Sequence, residues 1–205
     1  MGRTASSKRA EVRESKVFGA DLVLRRTVSA RVGEACVWIE DTVRNEGHAP
    51  EPLMLLYHIN LGWPLLDETA RLVGPGDPGE PPEPRDGEAQ KGLKHWDSFA
   101  TPTLGFRERV FYHRPRADAQ GWAEARLENP SLEGGIALSV RFRPEELSQF
   151  VQWTMTGEGT YVVGLEPATC RVGGYQREEE GRVIHLAPGQ SRRFQLQIDI
   201  SSIPR

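Results

Sequence analysis

The sequence predicts an all-β fold of antiparallel sheets, packed as a sandwich or barrel and carrying few short helices. Runs of alternating apolar and polar residues recur along the chain, turns rich in Gly, Pro and Asn separate them, and no stretch sustains a helical period. Sheets of this kind bury one face against another, which is why a sandwich or barrel follows. The 205 residues suit a single domain over 1–205, and 38% hydrophobic residues supply a core.

Each element has its own signal. Residues 35–45 place Val37, Ile39 and Val43 on one face with Asp41 between them, and the turn Asn45-Glu46-Gly47 closes the run. Residues 53–59 and 161–165 are continuously apolar, the pattern of strands covered on both faces and lying centrally. Residues 74–92 carry so many Pro, Gly and charged residues that they are predicted to form a surface loop, either a lid or rim or a tolerated insertion. Residues 137–142 turn Leu138, Val140 and Phe142 inward, and residues 194–200 do the same with Phe194, Leu196, Ile198 and Ile200. Arg143-Pro144-Glu145-Glu146-Leu147 has a helix start, with Pro at a first-turn position and acids at the positive end of the dipole. Strand character from Val151 onward limits it to a turn or two.

Composition narrows the function classes. Lys and Arg total 26 against 29 Asp and Glu, a net charge of −3, so the chain lacks the basic excess that binding to nucleic acid demands. No apolar run approaches the roughly 18–20 residues of a membrane helix, and the polar, basic N-terminus has no apolar segment behind it, which reads as a cytoplasmic protein. Cys36 and Cys170 sit in apolar segments as buried, reduced thiols, and neither has a partner at metal-ligand spacing, so no metal is expected. No glycine-rich phosphate or dinucleotide fingerprint occurs, and no cofactor is implied.

Two polar residues stand out against apolar strands. His58 follows Leu53-Met54-Leu55-Leu56-Tyr57 and precedes Ile59-Asn60-Leu61-Gly62, so a titratable ring and an amide end a core run, where unpaired burial is costly. It is either a satisfied core histidine or an acid/base group. His48, His95 and His113 read as surface or rim residues, and His185 as a strand end before a turn. Glu166, in Tyr161-Val162-Val163-Gly164-Leu165-Glu166-Pro167, is a carboxylate at the end of another apolar strand. Desolvation in a cleft would raise its pKa towards neutrality and make it a competent base; capping a turn or pairing with Arg171 is the other reading. Gln152 and Trp153 set an amide beside an indole, a combination suited to a sugar's apolar face and hydroxyl edge, although Trp153 suits a core equally.

These segments resemble aldose 1-epimerases, the galactose mutarotase-like proteins. Tyr57-His58-Ile59-Asn60-Leu61-Gly62 is similar to the stretch carrying their acid histidine, and Val163-Gly164-Leu165-Glu166-Pro167 to the one carrying their base glutamate. The resemblance is closer still to a bacterial branch of uncharacterised domains in that superfamily. There Trp38-Ile39-Glu40-Asp41-Thr42-Val43-Arg44-Asn45, Leu56 to Asn60 with Pro64-Leu65-Leu66, Gln152-Trp153 and Gly164-Leu165-Glu166-Pro167 recur in this order. It implies a β-supersandwich, His58 and Glu166 as catalytic acid and base facing one another across a cleft several ångströms wide, and Asn60, Gln152 and Trp153 binding substrate. Two departures accompany it. Only Ile59 separates His58 from Asn60, where typical mutarotases have a longer stretch. Relatives also begin with an extra β segment, and Met1-Gly2-Arg3 resembles their His-Gly-Arg with the histidine replaced, which implies a shortened chain with exposed strand edges and assigns Arg3 to the substrate.

Two function classes follow from the resemblance: an anomer-interconverting isomerase acting on a small sugar or sugar acid, and a non-catalytic sugar-binding or sugar-sensing domain on the same fold. Arg3, Arg171 and Lys94 are the candidates for an anionic group on the sugar.

Overall fold

A computed structural model describes residues 5–173 and 183–203. Its strands are β1 (Ala5–Ser15), β2 (Asp21–Arg31), β3 (Cys36–Asn45), β4 (Glu51–Leu53), β5 (Ile59–Gly62), β6 (Arg71–Val73) and β7 (Glu83–Pro84). After a short helix α1 (Gly87–Gly92) come β8 (Arg109–His113), β9 (Ala123–Asn129), β10 (Ile136–Phe142), β11 (Gln149–Gly157), β12 (Thr160–Ala168), β13 (Ile184–Leu186) and β14 (Ser191–Ser202).

A seven-stranded sheet runs β1-β2-β3-β14-β10-β9-β6 and a five-stranded sheet β5-β12-β11-β8-β7, with β13 and β4 forming a small third pair. Every strand pairing among the described residues is antiparallel. The two large sheets bury their facing sides against each other. Val43, Leu127, Val140, Phe142 and Leu196 from the first meet Leu61, Phe150, Val163 and Leu165 from the second in one cluster. The rings of Phe142 and Phe150 stack across the interface at 5.7 Å. This is the all-β sandwich that the alternating runs predict, with Cys36 and Cys170 both buried.

The five-stranded sheet takes its register from a tight hairpin. Gly157 pairs with Thr160 around Glu158-Gly159, and Gly159 supplies the φ of +79° that a two-residue connection demands. That register sets Trp153 beside Gly164 and Val151 beside Glu166.

Two elements differ from expectation. Residues 53–59 do not form one central strand: β4 ends at Leu53, β5 begins at Ile59, and β5 lies at the edge of its sheet. An apolar run is compatible with an irregular segment that is covered by neighbours, and this one hydrogen-bonds alongside residues 165–169. The 74–92 segment is not wholly a solvent loop. It contains β7 and α1, buries Pro75, Pro82 and Ala89, and starts its helix on Asp86, whose side chain accepts from the Glu88 and Ala89 amides. β1 exposes all eleven residues and pairs with β2 alone among the described residues.

One buried network ties the two sheets together near the candidate site. Asp41 on β3 is fully buried, takes a bidentate bond from Arg26 on β2, and accepts the Tyr57 hydroxyl at 2.7 Å. Hydrogen bonding to Asp41 raises the Arg26 pKa further, and desolvation, aided by the same carboxylate, raises that of Tyr57. Asp41→Asn is expected to cost about 2 kcal/mol and Tyr57→Phe about 1 kcal/mol in urea unfolding, because each loses a hydrogen bond involving a charged group. Losses below ~0.5 kcal/mol in both variants would show that the network does not hold the sheets.

Candidate active site

The site grows from a strand pairing with a gap in it. Leu56 bridges to Ala168, Tyr57 donates its amide to the Pro167 carbonyl at 3.0 Å, and Ile59 and Asn60 pair with Leu165 and Gly164. The register on either side of the gap is the same, so His58 lies directly across from Glu166. Directly opposed side chains on one face of an antiparallel pair come close enough to touch. His58 Nε2 stands 3.0 Å from Glu166 Oε1.

The two groups are not set across a cleft, as the resemblance implies, but side by side on the outer face of the five-stranded sheet. Cross-strand register imposes this. Their exposures differ sharply: the His58 side chain is 44% exposed and that of Glu166 only 3%. The imidazole therefore covers the carboxyl. Despite the short distance their alignment falls short of a hydrogen bond, and Glu166 Oε1 is buried with no hydrogen-bond partner among the described residues. Burial, reinforced by the negative charge of Glu108, pushes the Glu166 pKa up to about 7.

Gly164 makes the juxtaposition possible. A Cβ at this position would lie 2.5 Å from Glu166 Oε1 and 3.2 Å from His58 Cε1, so any larger residue would push the carboxyl out of place. Trp153, paired with Gly164, meets the His58 ring edge-on at 5.4 Å between centroids. Its indole N–H donates to Glu108 at 2.8 Å, and Arg85 holds the other oxygen of that carboxylate at 2.9 Å. These bonds, with that from Trp153 foremost, keep Glu108 below the usual carboxylate range. Val110, Tyr112 and Val151 form an apolar cluster beside the indole.

Asn60, exposed and paired with Gly164, is on the same outer face as His58. Gln152 is not. Successive residues of a strand point to opposite sides, and Gln152 is buried on the inner face, where it contacts His113 Nε2 at 2.9 Å and donates to the Trp96 carbonyl at 2.7 Å. The rim position expected of His113 is likewise corrected: it is buried, and desolvation pushes its pKa down to about 4. Arg171 pairs with Glu83 through two bonds of 2.7 and 2.6 Å rather than with Glu166. Lys94 is exposed, and Arg3 lies outside the described residues. Glu108 and Arg85, absent from the sequence expectations, sit in charged, Gly-rich surroundings with no periodic signal to single them out. Among the described residues, no group of three or more His, Cys, Asp or Glu is disposed to hold a metal, and no helix is long and apolar enough to cross a membrane.

With this geometry in hand, known structures define the class. The fold is that of the galactose mutarotase-like proteins. A crystal structure of a candidate aldose 1-epimerase from Klebsiella pneumoniae superposes with a TM-score of 0.88 at 29% identity, covering 96% of this chain and 50% of that one. A galactose mutarotase-like protein from Clostridium acetobutylicum gives 0.69 at 15% identity, over 99% of this chain and 64% of that one. A candidate aldose 1-epimerase from Escherichia coli gives 0.56 at 16% identity, over 94% and 69%. The chain thus spans half the length of the Klebsiella protein. It belongs to the family described as "Domain of unknown function (DUF4432)", which it matches over residues 3–200. None of the curated proteins matches it.

The raised Glu166 pKa has a consequence for stability. Between about pH 4.5 and 7 the folded chain keeps a proton on Glu166 that the unfolded chain has released, so this residue's contribution falls as pH rises through that window. Glu166→Gln abolishes the effect. The variant is expected to exceed the parent by about 3 kcal/mol near pH 8 and to match it near pH 4.5 in urea unfolding. An equal difference at both pH values would contradict the buried, uncompensated carboxyl.

Proposed function

We propose that the chain binds a small sugar or sugar acid on the outer face of the five-stranded sheet and interconverts its anomers by acid/base ring opening. The observation that carries this reading is the contact between an exposed imidazole and a buried carboxyl whose pKa lies at about 7. A base of this kind is half-ionised at neutral pH, where proton transfer is most efficient. The likeness to proteins described as candidate aldose 1-epimerases supports the same chemistry.

In this mechanism the sugar lies over the imidazole and the Trp153 edge. Hydrogen bonding to the sugar draws His58 away from Glu166 and uncovers Oε1. Glu166 then takes the proton from the anomeric hydroxyl while protonated His58 gives one to the ring oxygen. The bond between the anomeric carbon and the ring oxygen breaks, and the anomeric carbon becomes a carbonyl. Rotation about the adjacent carbon–carbon bond presents the other face. On reclosure His58 recovers its proton from the attacking hydroxyl and Glu166 returns one to the carbonyl oxygen. Protons and electrons balance over the cycle, and both groups end as they began. Asn60 and Trp153 orient the sugar, and Glu108 holds the indole in place.

Anomeric exchange followed by NMR saturation transfer tests this with glucose, galactose and galacturonate. The chain is expected to accelerate exchange of at least one of them, with an acid limb rising through about pH 7 as Glu166 ionises. His58→Ala and Glu166→Gln should each lose about 10²-fold or more of the acceleration, while Trp153 fluorescence still reports sugar binding. Sugar binding with exchange at the uncatalysed rate would replace catalysis by the sensing role. Absence of both sugar binding and accelerated exchange would remove the proposal.

A further inference from the structure

The inner face of the same sheet carries a cavity. It measures about 280 Å³ and lies between the β8–β11 pair and residues 92–106. Trp96, Phe99 and Phe106 supply apolar walls, Thr154 and Thr156 hydroxyls, and Arg109 a cation. Thr154 is next to Trp153 in sequence yet points the opposite way, so this cavity and the His58–Glu166 face are separated by the sheet.

Arg109 is unusual among the half-buried arginines described. Arg26, Arg85 and Arg171 each bond a carboxylate at 2.6–2.9 Å. Arg141 also has a buried Nε without a hydrogen bond, but its Nη2 reaches Asp118 at 3.3 Å. Arg109 has no such compensation: its Nε is sealed from solvent, and none of its nitrogens makes a hydrogen bond among the described residues. Glu88, whose carboxyl feels the Arg109 charge, bonds Lys91 at 2.7 Å instead. The guanidinium is also held in place. The Phe106 ring lies 4.8 Å from its central carbon, and a Cβ on Gly92 would come within 2.6 Å of its Cδ and Nη1. Arg109 therefore borders the cavity as a positioned, half-buried cation with unused donors, and leaving such donors unmet is unfavourable.

We infer that the Arg109 cavity is a second ligand site that takes a small organic carboxylate. A guanidinium presents paired N–H groups that match a carboxylate. The aromatic walls suit an apolar body behind that headgroup, and the Thr156 hydroxyl, without a hydrogen bond among the described residues, can donate to a carboxylate oxygen. The volume lies just under the common range of ligand pockets, about 300–1,000 Å³, which restricts the occupant to a small acid.

Titration of the intact chain with sodium benzoate, followed by ¹H–¹⁵N NMR, tests the inference. Saturable binding is expected, with shifts at the amides of Phe106, Thr154 and Thr156 and none at His58. Arg109→Gln should weaken it by about tenfold or more. Benzyl alcohol, the neutral counterpart, should bind at least about tenfold less tightly to the unmodified chain, a comparison that stands even if the variant fails to fold. No saturable benzoate shifts up to about 10 mM, equal binding of benzyl alcohol, or unchanged affinity in Arg109→Gln would each overturn the inference. Because the readout does not involve sugar, this result and that of the anomeric-exchange experiment are independent.

Discussion

The candidate site depends on one pairing: the register that puts His58 across from Glu166. Leu56 with Ala168 and Asn60 with Gly164 fix that register from both sides. The Tyr57 amide clamps it at Pro167, and the Tyr57 hydroxyl anchors the same segment to buried Asp41 in the opposite sheet. Glycine at 164 leaves the space that the carboxyl occupies. Shifting the register by one residue would send His58 to the core side. Four ordinary features of a β-sandwich thus hold a carboxyl where water does not reach it and a neighbouring imidazole shields it.

That shielding separates the roles of the two groups. A fully exposed glutamate would titrate in the ordinary acid range and act as a poor base near neutrality. A buried one beside a fixed cation would ionise too readily. Here the covering group is an imidazole without a hydrogen bond to the carboxyl, and the nearby charge that acts on it, Glu108, is of the same sign. Glu108 is itself tied to Trp153 and Arg85, so the indole edge, the charge and the carboxyl form one connected floor. The sheet then divides the molecule chemically, with the His58–Glu166 pair on its outer side and the Arg109 cavity on its inner side.

Much of this is legible in the sequence because alternation reports burial directly. The runs at 35–45, 137–142 and 194–200 become β3, β10 and β14, and the two polar residues that end apolar runs, His58 and Glu166, are the pair that meets. What escapes has physical reasons. Continuous apolarity at 53–59 cannot distinguish a buried strand from a covered irregular segment. Gln152 and Trp153 read as a unit because they are adjacent, whereas the pleat sends them to opposite faces, and the same alternation places His113 beside Gln152 in the interior. Asp86, followed by Glu88-Ala89-Gln90-Lys91, carries a helix-start signal that the surrounding Pro and Gly outweigh. The closeness of His58 and Glu166 depends on a register that no local pattern encodes.

Proton transfer at this site depends on the state of the Glu166 carboxyl. Its side-chain carbon, observed by ¹³C NMR across a pH titration of the intact chain, should show an inflection near 7. An inflection near 4.5, the value of a freely solvated glutamate, would mean that the imidazole does not cover it and that the site is not poised for proton transfer.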